Sequence, residues 1–220
     1  TTVANSPINS SSTLFIYSNS LYQLPILILI IIQTRVSGNP EHCYLKGKAM
    51  KAIALTHYLP SNHPHCFIES DLPDPTPGPR DLLVRVNATS INPVDTKVRA
   101  PKDKVESSPR VLGWDAVGEV IAVGSDVTLF KAGDRVWYAG DISRPGSNSA
   151  LQLVDERIAA IAPVTLTDLE AAALPLTAIT AWETLFERMS LTRESTGRLL
   201  IIGGAGGVGS IAIQLARQLT

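Results

Sequence analysis

Cysteine is scarce in this chain. Cys43 and Cys66 are the only two in 220 residues. Two cysteines do not make a disulfide scaffold, and reduced thiols in a cytosolic protein are the plainer reading. Charge of one sign is also lacking: 19 Lys and Arg stand against 20 Asp and Glu, a formal net charge of -1. No basic stripe appears, so nucleic acid is not an expected partner. The strongly apolar run Leu24–Ile32 is too short to span a bilayer, which takes about 20 residues. It makes a poor signal peptide too. The first basic residue, Arg35, comes after it, and no small-residue cleavage site stands out just behind it. No internal repeat is visible.

What is present is ordinary for a globular protein. Apolar residues are 45% and charged residues 18%, enough for a buried core. The length suits one large or two small domains. The informative stretch is Arg198–Arg217, RLLIIGGAGGVGSIAIQLAR. A short apolar β run, Leu199–Ile202, leads into a glycine cluster. Ile211, Leu215 and Leu219 then repeat every fourth residue, as on one helical face. Gly204, Gly206 and Gly209 fit G-x-G-x-x-G, which carries meaning between a strand and a helix. The first glycine permits the tight turn, the second lets the backbone approach a pyrophosphate, and the third lets helix and strand pack. The helix N-terminus then faces the phosphates. Gly204, Gly206, Gly207, Val208 and Gly209 are the candidate cofactor-binding residues.

The rest divides in order. Residues 1–49 read as an atypical extension that is not part of the fold, because a well-patterned stretch begins only at Met50. Residues 50–164 read as β-rich. Lys51–Thr56 is a first strand, and the Pro-rich His57–Pro79 is a loop. Asp81–Val86 and Ala88–Ile91 are strands. Pro93 suits the first turn of a short helix. Ala100–Arg110 reads as a charged, mobile loop. Val111–Gly140 holds Val-rich runs between glycines, the sign of a small barrel or sandwich. Ala150–Val154 and Ile158–Ile161 are further strands. Residues 165–220 change period. Thr167 offers an N-cap, and Thr177–Met189 reads as a helix with Ile179, Trp182, Leu185, Phe186 and Met189 on one side.

Four motifs in this order carry a family. They are Ser90-Ile91-Asn92-Pro93-Val94-Asp95, Leu112-Gly113-Trp114-Asp115 with Gly118, Gly133-Asp134-Arg135-Val136, and the glycine turn. Together they resemble the medium-chain dehydrogenase/reductases, in the quinone-oxidoreductase-like branch often named zinc-type alcohol dehydrogenase-like. The resemblance runs from about Met50 to Thr220. It implies an α/β protein, a GroES-like β-rich domain followed by the truncated start of a Rossmann fold, with the active site in the cleft between. The acidic residue that meets the ribose in such folds lies about 20 positions past the motif, so the chain is read as the front part of a longer protein.

The resemblance also implies chemistry. Zinc members use a Cys and a His-Glu pair, among others. Here the corresponding positions resemble Asn92 and Trp114-Asp115, and Asn92 and Trp114 are poor ligands, so zinc is not expected. The loop cluster His57, His63, His65 and Cys66 fits no usual zinc spacing. The expected reaction is hydride transfer from NADPH, with NAD left open, to a quinone, enone or related carbonyl. The delocalised charge formed in such an acceptor needs only hydrogen-bond donors. A simple alcohol or aldehyde reductase and a non-catalytic nucleotide-binding protein are the competing readings. Asn92, Asp95 and Tyr138 are the candidate catalytic residues. Thr180 and Lys97 join the cofactor set. Plainer roles stay open: Asn92 capping a turn, Asp95 pairing with Lys97 or Arg99, Thr180 bonding its own helix, and Tyr138 filling the core. A cytoplasmic enzyme, with a homodimer in the full-length protein, completes the expectation. Mass spectrometry of the natural protein is expected to yield no peptide from residues 1–35; finding one overturns the reading of that stretch as foreign to the fold.

Overall fold

The computed structural model describes residues 49–220, together with the backbone of two strands before them, β1 (Ser12–Tyr17) and β2 (Leu29–Thr34). Of the expected extension, residues 1–49, only the backbone of these two strands and Ala49 is described; the rest, Cys43 included, lies outside the described residues. Strands β1 and β2 pair antiparallel, and β2 meets β5 (Asp81–Thr89) at Ile32↔Thr89 and Gln33↔Ala88. The remaining strands are β3 (Ala49–Tyr58), β4 (Ile68–Pro73), β6 (Lys102–Val111), β7 (Asp115–Val123), β8 (Arg135–Ala139), β9 (Leu151–Asp155) and β10 (Ala159–Ile161). Every pairing is antiparallel. One sheet runs β1-β2-β5-β7-β8-β10 with β9 also on β5, and the other runs β4-β3-β6. The isolated bridge Ala52↔Ser149 ties the two together.

Alternation decides which face each side chain buries. Leu82, Val84 and Val86 of β5 meet Ala116 and Val120 of β7, Val136 and Tyr138 of β8, and Val154 of β9 in one core. Each such buried aliphatic contributes about 1.5–3 kcal/mol. Between Val86 and Ala88 the register with β7 slips by one residue. A slip of one exchanges the faces, so Ala88 joins a second core on the far side with Val117, Ala162, Ala171 and Ala172. The slip also sets how Thr89 and Ser90 enter the region described below.

Helices follow where the period changes. α1 (Pro93–Arg99) starts on a proline at its first turn. α2 (Asp168–Ala172) has the expected Thr167 cap, whose hydroxyl accepts from the Glu170 N–H while the Glu170 carboxylate accepts from the Thr167 N–H. Through Ala171 and Ala172 this helix packs on the large sheet. Arg135 anchors it: Nε donates to Asp168 Oδ1 at 2.7 Å, and the other guanidinium nitrogens donate to the carbonyls of Pro163 and Leu166. α3 (Pro175–Trp182) continues into a π-helical segment, Glu183–Arg188. α4 (Gly207–Leu219) packs on both through Ala181, Leu185, Phe186, Ile211, Ala212 and Leu215. Among the described residues no helix is long and apolar enough to cross a membrane.

Four expectations change. Ala100–Arg110, read as a loop, is most of β6. Its charges face outward, and it is held to β3 by an aromatic-ionic knot. There the Tyr58 hydroxyl donates to Glu106, Arg110 donates to that hydroxyl at 2.8 Å, and Lys104 pairs with Glu106 at 2.8 Å. These donors hold the Glu106 carboxyl down at about 2, with Lys104 the main cause. The Pro-rich loop after His57 contains β4, which pairs with β3. The helix at 177–189 does not bury one continuous face. Ile179, Trp182 and Met189 are about half exposed, whereas Ala181 and Leu185 are buried. The π turn rotates the later residues away from the 3.6-residue face. Leu199–Ile202 forms no strand, because a parallel strand needs neighbours, and none lies beside it among the described residues.

Glycines at two positions give contrasting tests. A Cβ on Gly118 of β7 would lie 2.2 Å from the Arg85 carbonyl oxygen of the adjacent strand, whereas one on Gly133 (φ +90) would meet nothing within 4 Å. Gly118→Ala is expected to cost about 3 kcal/mol or more, and Gly133→Ala only about 1 kcal/mol from its backbone angle. Urea denaturation midpoints check both.

Candidate active site

The site grows around Asp115, the first residue of β7. The loop before it is tightly specified. Gly113 has φ +107, and a Cβ there would lie 2.4 Å from Ser147 Oγ. Thr89 Oγ1 and Ser147 Oγ both donate to the Asp115 carbonyl, at 2.7 and 3.1 Å. The side chain is fully buried and collects three donors. Its Oδ2 accepts from Ser90 Oγ at 3.1 Å and from Asn92 Nδ2 at 2.9 Å; its Oδ1 accepts from the Leu176 N–H at 2.8 Å. Leu176 lies in the first turn of α3, whose own N-cap, Leu174, offers no side-chain acceptor. A carboxylate from a barrel strand thus satisfies an orphan N–H at the helix start, where negative charge is favoured.

Asp95 lies next to this centre. Its Oδ2 accepts from the Asn92 N–H at 2.7 Å, it is 8% exposed, and its Oδ1 has no hydrogen-bond partner. It does not pair with Lys97 or Arg99. Lys97 is exposed, while Arg99 donates to the Leu59 carbonyl at 2.7 Å and stands over the Phe67 ring. Burial pushes the Asp95 carboxyl up to about 6, against the opposing pull of the Asn92, Asp95 and Gly113 N–H groups. Burial pushes Asp115 up to about 6 as well. Its bonds from Asn92, Leu176 and Ser90 oppose that, and the charge of Asp95 adds to it.

The glycine turn is a second candidate feature. Gly203 takes φ +73, and the Gly206 N–H donates to the Gly203 carbonyl at 2.9 Å. A Cβ on Gly209 would lie 2.5 Å from the Gly203 oxygen and 2.7 Å from Gly204 Cα, so only glycine lets the helix sit against the turn. Gly206 is the N-cap of α4 and contributes no side-chain bond. The first-turn N–H groups of Gly207, Val208 and Gly209 have no acceptor inside the helix. The turn is partly open to solvent. This bare, glycine-lined N-terminus suits a diphosphate.

The structure brings Asn92 and Asp95 together with Asp115, and it gathers Gly204, Gly206, Gly207, Val208 and Gly209 at one helix end. It does not bring in Tyr138. That side chain was expected to reach a substrate, but it sits in the main core at 2% exposure, and its hydroxyl donates to Gln152 Oε1 at 2.9 Å. Strand alternation turns it inward, and burial drives its phenol above the usual range. Thr180 is exposed, and its hydroxyl donates to the Leu176 carbonyl of its own helix at 2.6 Å. Lys97 makes no ion pair among the described residues. Sequence reasoning missed Asp115 as a centre and missed Ser90 and Ser147 as its partners. The available signal was an acidic residue opening an otherwise apolar strand, beside a helix start with no cap of its own.

Asp115 is the one carboxylate at the ligand-like positions, and both of its oxygens are already bonded; Asn92 turns an NH2 group towards it, and Trp114 offers no lone pair. Among the described residues no group of three His, Cys, Asp or Glu is placed to hold a metal ion. In the loop cluster, His63 Nδ1 accepts from the His65 N–H, and Cys66 donates to the Ser61 carbonyl.

Comparison with known proteins agrees on the front of the chain. Residues 78–157 match the alcohol dehydrogenase GroES-like domain. A zinc-type alcohol dehydrogenase-like protein of Staphylococcus aureus is 54% identical over 148 residues, covering 66% of this chain and 44% of that protein. A Rhizobium etli protein assigned to the zinc-dependent alcohol dehydrogenases is structurally similar, with TM-score 0.71 and 49% identity over 78% of this chain and 50% of that one. The Escherichia coli quinone oxidoreductase complexed with NADPH follows at TM-score 0.60 and 29% identity, over 77% and 50%. The chain spans about half the length of these relatives.

The buried acids predict an unusual pH response. Both carboxyls titrate higher in the folded chain than in the unfolded one, so ionisation favours unfolding. Their contribution is fully present below about pH 4 and is lost as pH rises through 6. Asp95→Asn keeps an acceptor for the Asn92 N–H and removes the charge. It is expected to exceed wild-type stability by on the order of 2 kcal/mol at about pH 8 and to match it near pH 4. Urea unfolding at the two pH values checks the sign.

Proposed function

The chain belongs to the medium-chain dehydrogenase/reductase superfamily, and we propose that in the whole protein it binds NADPH and directs hydride to a quinone, enone or related carbonyl acceptor without catalytic zinc. Residues 50–164 form the acceptor side, and residues 165–220 begin the nucleotide side. The observation that carries this reading is the α4 N-terminus: uncapped, lined by glycine, and closed against its turn only because Gly209 lacks a Cβ. Its backbone N–H groups hold the diphosphate.

Bound NADPH supplies the hydride; the protein supplies orientation and charge stabilisation. Reduction of a quinone or enone leaves a delocalised anion that hydrogen-bond donors can stabilise. An unactivated alcohol instead needs a Lewis acid, and the Asn92–Trp114–Asp115 set offers no place for one. Asn92 is the candidate donor at the acceptor edge, fixed in orientation by its bond to Asp115. Asp115 itself is a positioning residue. It ties the Ser90–Asn92 loop to the first turn of α3 and so couples the two sides of the site.

Calorimetric titration of the full-length protein with NADPH and NADH tests the reading. Wild type is expected to bind at least one of them. Gly209→Ala, whose Cβ forces the turn open, is expected to weaken binding at least about tenfold, near 1.4 kcal/mol. A full-length protein with no affinity for either nucleotide in the same titration overturns it.

A further inference from the structure

Two acids share the interior of this chain without a cation to balance them. Asp115 is completely buried and Asp95 is 8% exposed. Among the described residues neither acid is in an ion pair, although Nε of Arg99, on the same helix as Asp95, is buried without a hydrogen-bond partner. On α1, Lys97 is exposed and Arg99 is bound to the Leu59 carbonyl. On β6, Arg110 is held by Tyr58 and Glu106. Arg144 forms a two-pronged pair with Asp81. The acids are unequal. Asp115 has three donors on its two oxygens, which favours the carboxylate. Asp95 has one buried oxygen, Oδ1, with no well-formed hydrogen bond, although the Asp95 and Gly113 N–H groups also pull on the carboxylate. An ionised oxygen left bare in a low-dielectric interior is costly, and two like charges close together disfavour double ionisation.

We propose that Asp95 and Asp115 work as one buried acid pair, with Asp115 the fixed anion and Asp95 the member that takes up and gives back a proton. The orphan Oδ1 of Asp95 is where that proton resides. Burial raises both carboxyls alike; the three donors on Asp115 are what give it the charge and leave the proton to Asp95. A proton on the pair balances part of the buried negative charge. On the functional reading above, which this role rests on, the proton completes the reduction. With NADPH bound to supply the hydride, the acceptor oxygen would become anionic, and an O–H bond would form there as the Asp95 O–H bond breaks. A proton from bulk solvent would then restore the Asp95 carboxyl.

The test is an NMR titration of the 220-residue chain carrying 13C-carboxyl aspartate, with Asp95→Asn assigning its resonance. The Asp95 midpoint is expected above about pH 5, at least one unit over the ordinary value of about 3.9. Asp115→Asn, which removes the fixed charge, is expected to lower that midpoint by half a unit or more. Because that variant also loses an acceptor for the Leu176 N–H, Ser90→Ala serves as a milder second one. It makes Asp115 easier to protonate and lowers the Asp95 midpoint in the same direction. A wild-type midpoint at or below about 4, or one that neither variant moves, overturns the pair. NADPH affinity measured on the full-length protein reports on the functional reading alone. Coupled titration without nucleotide binding supports the pair and removes the hydride role.

Discussion

Asp115 sits at the first position of β7, wholly inside the protein, and donors from two distant parts of the chain converge on its carboxylate. Ser90 and Asn92 arrive from the loop after β5, and the Leu176 N–H arrives from the first turn of α3. Removing a charge from water costs several kcal/mol unless hydrogen bonds replace its hydration. The fold meets that cost by making the carboxylate a junction. The loop that carries Asn92 and the helix that leads to the glycine turn are both positioned by the same two oxygens. Their relative placement is therefore tied through one side chain.

That junction explains why neighbouring details are so constrained. The register slip between Val86 and Ala88 exchanges the faces of β5 just before Thr89 and Ser90 turn towards Asp115. Gly113 adopts a left-handed backbone and leaves no room for a Cβ beside Ser147. Thr89 and Ser147 hold the Asp115 carbonyl from two sides. Each is a small departure from regular strand geometry. Together they aim a polar cluster out of a Val-rich core.

The glycine turn follows a different principle. Its shape depends on what is missing: no side chain at the α4 cap, and none at Gly209 where helix meets turn. Close backbone approach leaves unpaired N–H groups pointing outward. Charge elsewhere serves the fold. The Tyr58–Glu106–Arg110 knot fastens β6 as an edge strand. Glu156, buried, accepts from the Thr128 and Leu129 N–H groups at 2.9 Å and from Arg80 at 3.0 Å, pinning the loop after β7.

Local signals carried far in the sequence. Alternation marked β5 and β9, Pro93 and Thr167 marked helix starts, and the glycine spacing marked the α4 turn, because each depends on neighbours within a few residues. Asn92 and Asp95 were legible as site candidates by their place in a motif. Sequence could not show that β6 is a strand, since its charged residues are held by Tyr58 from a strand more than 40 positions earlier. Nor could it show that Tyr138 points inward, which depends on the packing of β5, β7, β8 and β9 together. The role of Asp115 was decided only by tertiary structure. A carboxylate becomes a joint when folding brings it three donors, and two of the three elements involved lie 25 and 61 residues away. Composition and spacing fixed the parts; long-range hydrogen bonding in a dry interior decided what each part touches.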